Sequence, residues 1–149
     1  MKAWISLVAA AVVMLAACGG GADPVDTDNS ADRFNGEKRA AAQTVEEFSV
    51  AVAAGDWSKI CDELFTADEV ELTAGILGAS CESEIGDAFA ENRELNLTVE
   101  KVETRGPLTI GADAIVFSSD DEGNHQSWTI LEGGGDWRID AYGGTFGAD

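Results

Sequence analysis

The side chains that could do chemistry are few. There are three cysteines, Cys18, Cys61 and Cys81, a single histidine, His125, and an acid and a phenol, Asp140 and Tyr142, two residues apart. His125 is the one side chain whose unperturbed pKa lies near neutrality, which makes it the first candidate for proton transfer. It sits, however, at the turn-proximal start of a strand beside Asn124 and Gln126, the setting of a solvated surface residue. Asp140 and Tyr142 could form an acid–base pair if their strand face pointed inward. A zinc site is not expected, because two cysteines are too few ligands and His125 is far from them in sequence. The run Asp120-Asp121-Glu122 reads as a hydrated hairpin tip. Asp26, Asp28, Ser30, Asp32 and Glu37 fall at the offsets of an EF-hand loop, but Ala31 occupies the position that needs glycine and Arg33 the next apolar position, so calcium is not expected. The chemistry inventory thus predicts no catalytic residue, no cofactor and no metal.

Cys18 stands apart from the other two thiols. Lys2 supplies a positive start, Trp4 to Leu15 form an apolar run broken only by Ser6, and small residues follow, the layout of a signal peptide over residues 1–17. A spanning helix needs roughly 20 apolar residues, and this run stops short at a Gly-rich acidic segment. Leu15-Ala16-Ala17-Cys18 resembles the lipobox of bacterial lipoprotein precursors; an ordinary cleavage site beside a cysteine is the alternative. The resemblance implies a diacylglyceryl thioether on Cys18, removal of residues 1–17, and a location at the extracytoplasmic face of the cell membrane. Several acyl chains, at about 0.8 kcal/mol per buried methylene, would hold the chain there. With Cys18 assigned to lipid, Cys61 and Cys81 remain as an even pair in a compartment where disulfides persist, and a bridge is expected. It would close a loop of about 20 residues, worth on the order of 3 kcal/mol. Two buried free thiols are the alternative.

The formal charge of −19 over 149 residues repels phosphate backbones, and no basic stripe with interleaved aromatics is present, so nucleic acid is excluded as a partner. Anionic lipid headgroups are repelled too. Residues 19–33 (GGGADPVDTDNSADR) lack the large apolar side chains needed to bury a core. They read as a tether with a root-mean-square span of roughly 20 Å, which with the lipidated cysteine makes an 18–34 segment ahead of one domain over 35–143 and a tail over 144–149.

The elements that must position these residues follow from periodicity. Phe34, Ala41, Val45, Phe48 and Val52 share one face of a long helix, with Asn35 as its N-cap and Gly55 as its stop. Asp56 caps a second helix carrying Trp57, Ile60, Cys61 and Leu64 at i, i+3, i+4, i+7. Thr66 and Glu69 form a capping-box pattern for a third that ends near Gly75 to Gly78. A fourth begins at Ser80 and aligns Cys81, Ile85, Ala88 and Phe89. After Asn92 the period becomes two, with Leu95, Leu97 and Val99 and then Ala114 to Ser119, His125 to Glu132 and Trp137 to Tyr142 separated by turn signals. Helices followed by strands predict an α+β fold, N-terminal helices packed on a curved antiparallel sheet.

This order, with the opening AAAQTVEEFSVAVAAGDWSKICDEL and the closing GGGDWRIDAYGG, resembles the nuclear transport factor 2-like superfamily over roughly residues 36–143. The resemblance implies a cone in which helices pack into a strongly curved sheet. Enzymes of that type, such as ketosteroid isomerases, use ionisable side chains pointing into the cone. Strand alternation here sends Trp128, Ile130, Trp137 and Ile139 inward and Ser127, Thr129, Arg138, Asp140 and Tyr142 outward. With Leu97, Val99 and Val116 the expected interior is apolar, and Trp128 and Trp137 either fill it or line a small pocket. The expected role is non-enzymatic binding of a protein or envelope component from a lipid anchor. An apolar-ligand carrier and an isomerase-like enzyme are the alternatives.

Overall fold

The structure is a computed structural model that describes residues 29–75, 78–91, 93–105 and 113–144. Residues 1–28, including Cys18, Asp26 and Asp28, lie outside the described residues, as do 106–112 and 145–149. A 3-10 turn over Ser30–Arg33 leads into α1 (Glu37–Ala54). Next come α2 (Trp57–Lys59), which runs on as a π-turn over Ile60–Leu64, α3 (Ala67–Gly75) and α4 (Cys81–Ala88). The strands β1 (Leu97–Arg105), β2 (Asp113–Asp120), β3 (His125–Gly133) and β4 (Asp136–Gly144) form one antiparallel sheet in the order β1-β2-β3-β4. The protein is therefore α+β, helices against an open antiparallel meander, an arrangement consistent with the cone described above.

Helix α1 buries Ala41, Val45, Phe48 and Val52 at three- and four-residue spacing, the stripe that forces an amphipathic helix onto the sheet. It stops at Gly55, whose φ of 68° lets its N–H reach back to Val52 O at 3.0 Å. Its start differs from expectation. Gly36, not Asn35, holds the N-cap position, with φ at 57° and no side-chain cap. The chain must swing sharply out of the preceding turn there, and a positive φ suits glycine. The other helix starts agree with the sequence: Asp56 Oδ1 accepts from Lys59 N at 3.1 Å, Thr66 Oγ1 from Glu69 N at 3.2 Å, and Ser80 Oγ from Ser83 N at 3.3 Å.

Ser30 to Arg33, expected to belong to the tether, instead form a turn packed on the domain. Ser30 and Ala31 are buried. Glu46 Oε1 accepts from Ala31 N at 2.7 Å and from the Ser30 hydroxyl at 3.0 Å, while Ser30 Oγ accepts from Val99 N at 2.9 Å. The Arg33 guanidinium donates to Val99 O. Composition alone suggested coil, but these small polar groups satisfy the backbone of the edge strand β1 where it is irregular, between Val99 and Lys101. Asp32 meanwhile pairs with Arg39 at 2.6 Å. Ser30 and Asp32, two of the residues at EF-hand offsets, are engaged with protein partners.

Leu97, Val99, Ala114, Val116, Trp128, Ile130 and Ile139 line the helix-facing side of the sheet and are buried with Phe48, Phe65 and Phe89. The register of β4 against β3 is Trp128↔Tyr142 and Ile130↔Ile139, with a shift between Thr129 and Ile130. Asp140 is the extra residue of that bulge. Ile139 and Tyr142, three residues apart, therefore share the inner face, and the outward placement expected for Tyr142 is corrected.

Candidate functional site

The bulge builds a polar cluster at the edge of the core. Thr66, between the π-turn and α3, donates its backbone N–H to Ile139 O at 2.9 Å and its hydroxyl to Asp140 Oδ1 at 3.0 Å. The same hydroxyl oxygen accepts from Glu69 N. Glu69 is only 6% exposed on α3, where Leu72 beside it is 60% exposed. Tyr142, half-buried, stacks on Phe65 at 6.1 Å and on Trp128 at 5.6 Å between ring centroids. Burial first, and the charge of Asp140 second, push the Glu69 carboxyl above its ordinary range, against a lowering hydrogen bond from Thr73. Burial and then Glu69 push the Tyr142 phenol up as well. The cluster sets a carboxyl and a phenol near one another, both held above their ordinary range, and these are group types that general acid–base chemistry uses.

One acid, Glu69 on α3, is thus buried at the edge of the core, where the sequence reading places none. In sequence Glu69 reads as the acidic partner of Thr66 in a capping box. Its one sequence cue was the inverted pattern of α3, a carboxylate where the apolar face should be and a leucine where water should be. Two apart in sequence, Asp140 and Tyr142 are separated by the bulge: Asp140 turns to Thr66 and Tyr142 to the aromatic core.

The other candidates fall as follows. Cys61 and Cys81 are bonded to each other, with Cα atoms 6.1 Å apart, and both are buried. His125 is at the start of β3, its side chain 74% exposed and 3.5 Å from Glu100 Oε2. Asp120 is more than a hydrated tip. Its carboxylate accepts from Glu122 N at 3.1 Å, Asn124 N at 2.8 Å, Asn124 Nδ2 at 3.0 Å and Gln126 Nε2 at 3.3 Å. Burial pushes that carboxyl up, but the hydrogen bonds from Asn124, Glu122 and Gln126 outweigh it and hold it below the ordinary range. The two tryptophans divide the roles expected of them. Trp128 is fully buried and fills the core, whereas Trp137 is a half-buried wall of an open cleft of about 350 Å³ between α1, the π-turn and the β3–β4 turn.

Among the described residues no group of three or more His, Cys, Asp or Glu side chains is placed to hold a metal ion, and no helix is long and apolar enough to cross a membrane. No protein-family model matches the chain, and neither a curated protein nor a solved structure matches it.

The buried acid makes a specific prediction. Glu69 holds its proton to higher pH when folded than when unfolded, so the folded state binds more protons in that window and stability falls as pH rises through it. Glu69→Gln removes this loss while keeping the shape and a partner for Thr73. In urea unfolding the variant should match the wild type below the ordinary carboxylate range. At pH 7 it should be more stable by about 1 kcal/mol, the usual size of a single-site effect. A wild-type advantage at pH 7 would show that the ionised carboxylate is the stabilising form.

Proposed function

We propose that this protein is a lipoprotein of the extracytoplasmic membrane face, anchored through Cys18, whose nuclear transport factor 2-like domain binds a protein or envelope component without catalysis. The observation that carries the reading is the buried Cys61–Cys81 bond, because a stable structural disulfide belongs to oxidising compartments. The short apolar leader ending in Leu15-Ala16-Ala17-Cys18 supplies the route there. Supporting the binding role is the filled interior, where Trp128, Phe48, Phe65 and Tyr142 pack ring against ring with no more than 6.4 Å between the centroids of contacting pairs. The test is a detergent phase partition of cells expressing the full chain. Wild type is expected in the detergent phase and Cys18→Ser in the aqueous phase; the same phase for both would refute the anchor.

One observation favours a second reading, an isomerase-like enzyme: a buried carboxyl, Glu69, lies near the half-buried phenol of Tyr142 at the edge of the core. Proton exchange at carbon acidified by a carbonyl, followed as solvent deuterium incorporation and lost in Tyr142→Phe, would establish it over the binding role.

A further inference from the structure

The helices lie on the side of the sheet that carries Val99, Val116, Trp128 and Ile130. Alternation turns the residues between them to the other side, where Ile115, Phe117 and Leu131 are half-buried without belonging to the hydrophobic core. Lys101 lies over the Phe117 ring, 5.7 Å from its centroid, and also pairs with Glu103 two residues along β1. Both charged side chains are at least half exposed.

The register gives this face a symmetry. Val102, Val116, Trp128 and Tyr142 form one row across all four strands. The outward residues that flank the row match on every strand: Lys101 and Glu103 are opposite charges on β1, and Ile115 and Phe117 are both apolar on β2. On β3 they are the hydroxyls of Ser127 and Thr129, and on β4 the small Ala141 and Gly143. A two-fold axis along that row, in the plane between two stacked sheets, exchanges the two flanks. Lys101 then faces Glu103 of the second copy and Phe117 faces Ile115, while hydroxyl meets hydroxyl and small residue meets small residue. Stacked sheets sit about 10 Å apart, within reach of a lysine and a glutamate extending from the two sides. The edges offer no comparable route. Ser30 Oγ and the Arg33 guanidinium occupy Val99 N and O on β1, and Phe65 bridges to Ile139 on β4, where Thr66 N also donates to Ile139 O. Each edge is therefore interrupted where another chain would add a strand.

We infer that the helix-free face of the sheet is a dimer interface, on which a second copy of this chain packs about a two-fold axis along the row Val102, Val116, Trp128 and Tyr142. With strands about 4.8 Å apart and about 3.4 Å per residue, the face covers roughly 500 Å² per copy. The pair then buries about 1,000 Å², at the lower limit of specific interfaces. The charge of −19 on each copy opposes approach over long range. Association is therefore weak and reversible, and the four alternating charges of the two Lys101–Glu103 pairs fix its register.

The test is sedimentation equilibrium of the full chain in density-matched non-ionic detergent, which is independent of whether Cys18 carries lipid. A reversible monomer–dimer equilibrium is expected, with the dimer populated at about 100 µM chain. Phe117→Asp, which puts a charge at the centre of the face without touching the core, should leave only monomer. Lys101→Glu or Glu103→Lys alone brings four like charges together at the axis and should weaken the dimer about ten-fold. The double exchange restores opposite charges across the axis and should return the affinity to within about three-fold of wild type. Such a rescue cannot come from a folding defect. A wild type that stays monomeric at the same concentration, a dimer that survives Phe117→Asp, or a double exchange no tighter than the single ones would overturn the interface. If the monomeric wild type instead retains a different protein that Phe117→Asp releases, the face belongs to that partner and the second copy is overturned as its occupant.

Discussion

Trp128→Ala is expected to destabilise the domain by about 3–5 kcal/mol, the range for deleting a large aromatic from a packed core. The residue is fully buried and touches two layers at once. Its ring lies 5.1 Å from that of Phe48 on α1 and 5.6 Å from that of Tyr142 on β4. It also anchors a polar thread through an otherwise apolar interior. Trp128 Nε1 donates to Ser118 Oγ at 2.8 Å, and the Ser118 hydroxyl donates to Gln126 Oε1 at 3.4 Å. Gln126 Nε2 in turn donates to Asp120 Oδ2 at 3.3 Å. Ser118 and Gln126 are themselves buried. Trp128→Phe should therefore separate the two contributions: it keeps most of the aromatic volume and removes the donor, costing about 1 kcal/mol for the hydrogen bond plus the lost ring area. Denaturant midpoints for the two variants measure this directly. An alanine variant within 1 kcal/mol of wild type would mean that the neighbouring rings collapse into the space.

The helical half of this arrangement is legible in the residues because each helix carries its own signal. The Phe48 stripe, the Asp56 and Thr66 caps and the Ser80 cap are local, and local interactions survive translation into the fold. Along β3 and β4 alternation reads the strand faces correctly as far as Ile139 and then fails at one residue. A bulge at Asp140 leaves no mark in composition, and the hydroxyl that meets its carboxylate, that of Thr66, is 74 residues away in sequence. The register shift there is what turns Tyr142 inward. Glu69 was hidden for the same reason. Its burial comes from packing α3 against β4 and α4, whereas its sequence position fits an exposed first turn. Ser30 shows the opposite failure, a residue whose tether-like composition masks a set of hydrogen bonds to an edge strand.

Replacing both Cys61 and Cys81 by alanine should lower stability by about 3 kcal/mol through the freed entropy of a loop of 20 residues in the unfolded chain. The loop has a particular content. It contains all of α3, and α3 carries the Glu69 carboxyl, whose ionisation opposes its own burial. The bond therefore closes a loop around the helix whose buried carboxyl costs stability as pH rises. In hydrogen exchange, the double variant should lose protection in α3 before β2 and β3, and adding Glu69→Gln should restore part of that loss at pH 7. A uniform loss across helices and sheet would show that α3 is not a separately opening unit. An unchanged denaturant midpoint in the presence of reductant would show that the bond contributes nothing. Typical domain stabilities are about 5–15 kcal/mol, so a chain held where the bond cannot form would lose a large fraction of its margin. Reductant sensitivity of the folded protein is then a direct measure of how far the fold depends on an oxidising compartment.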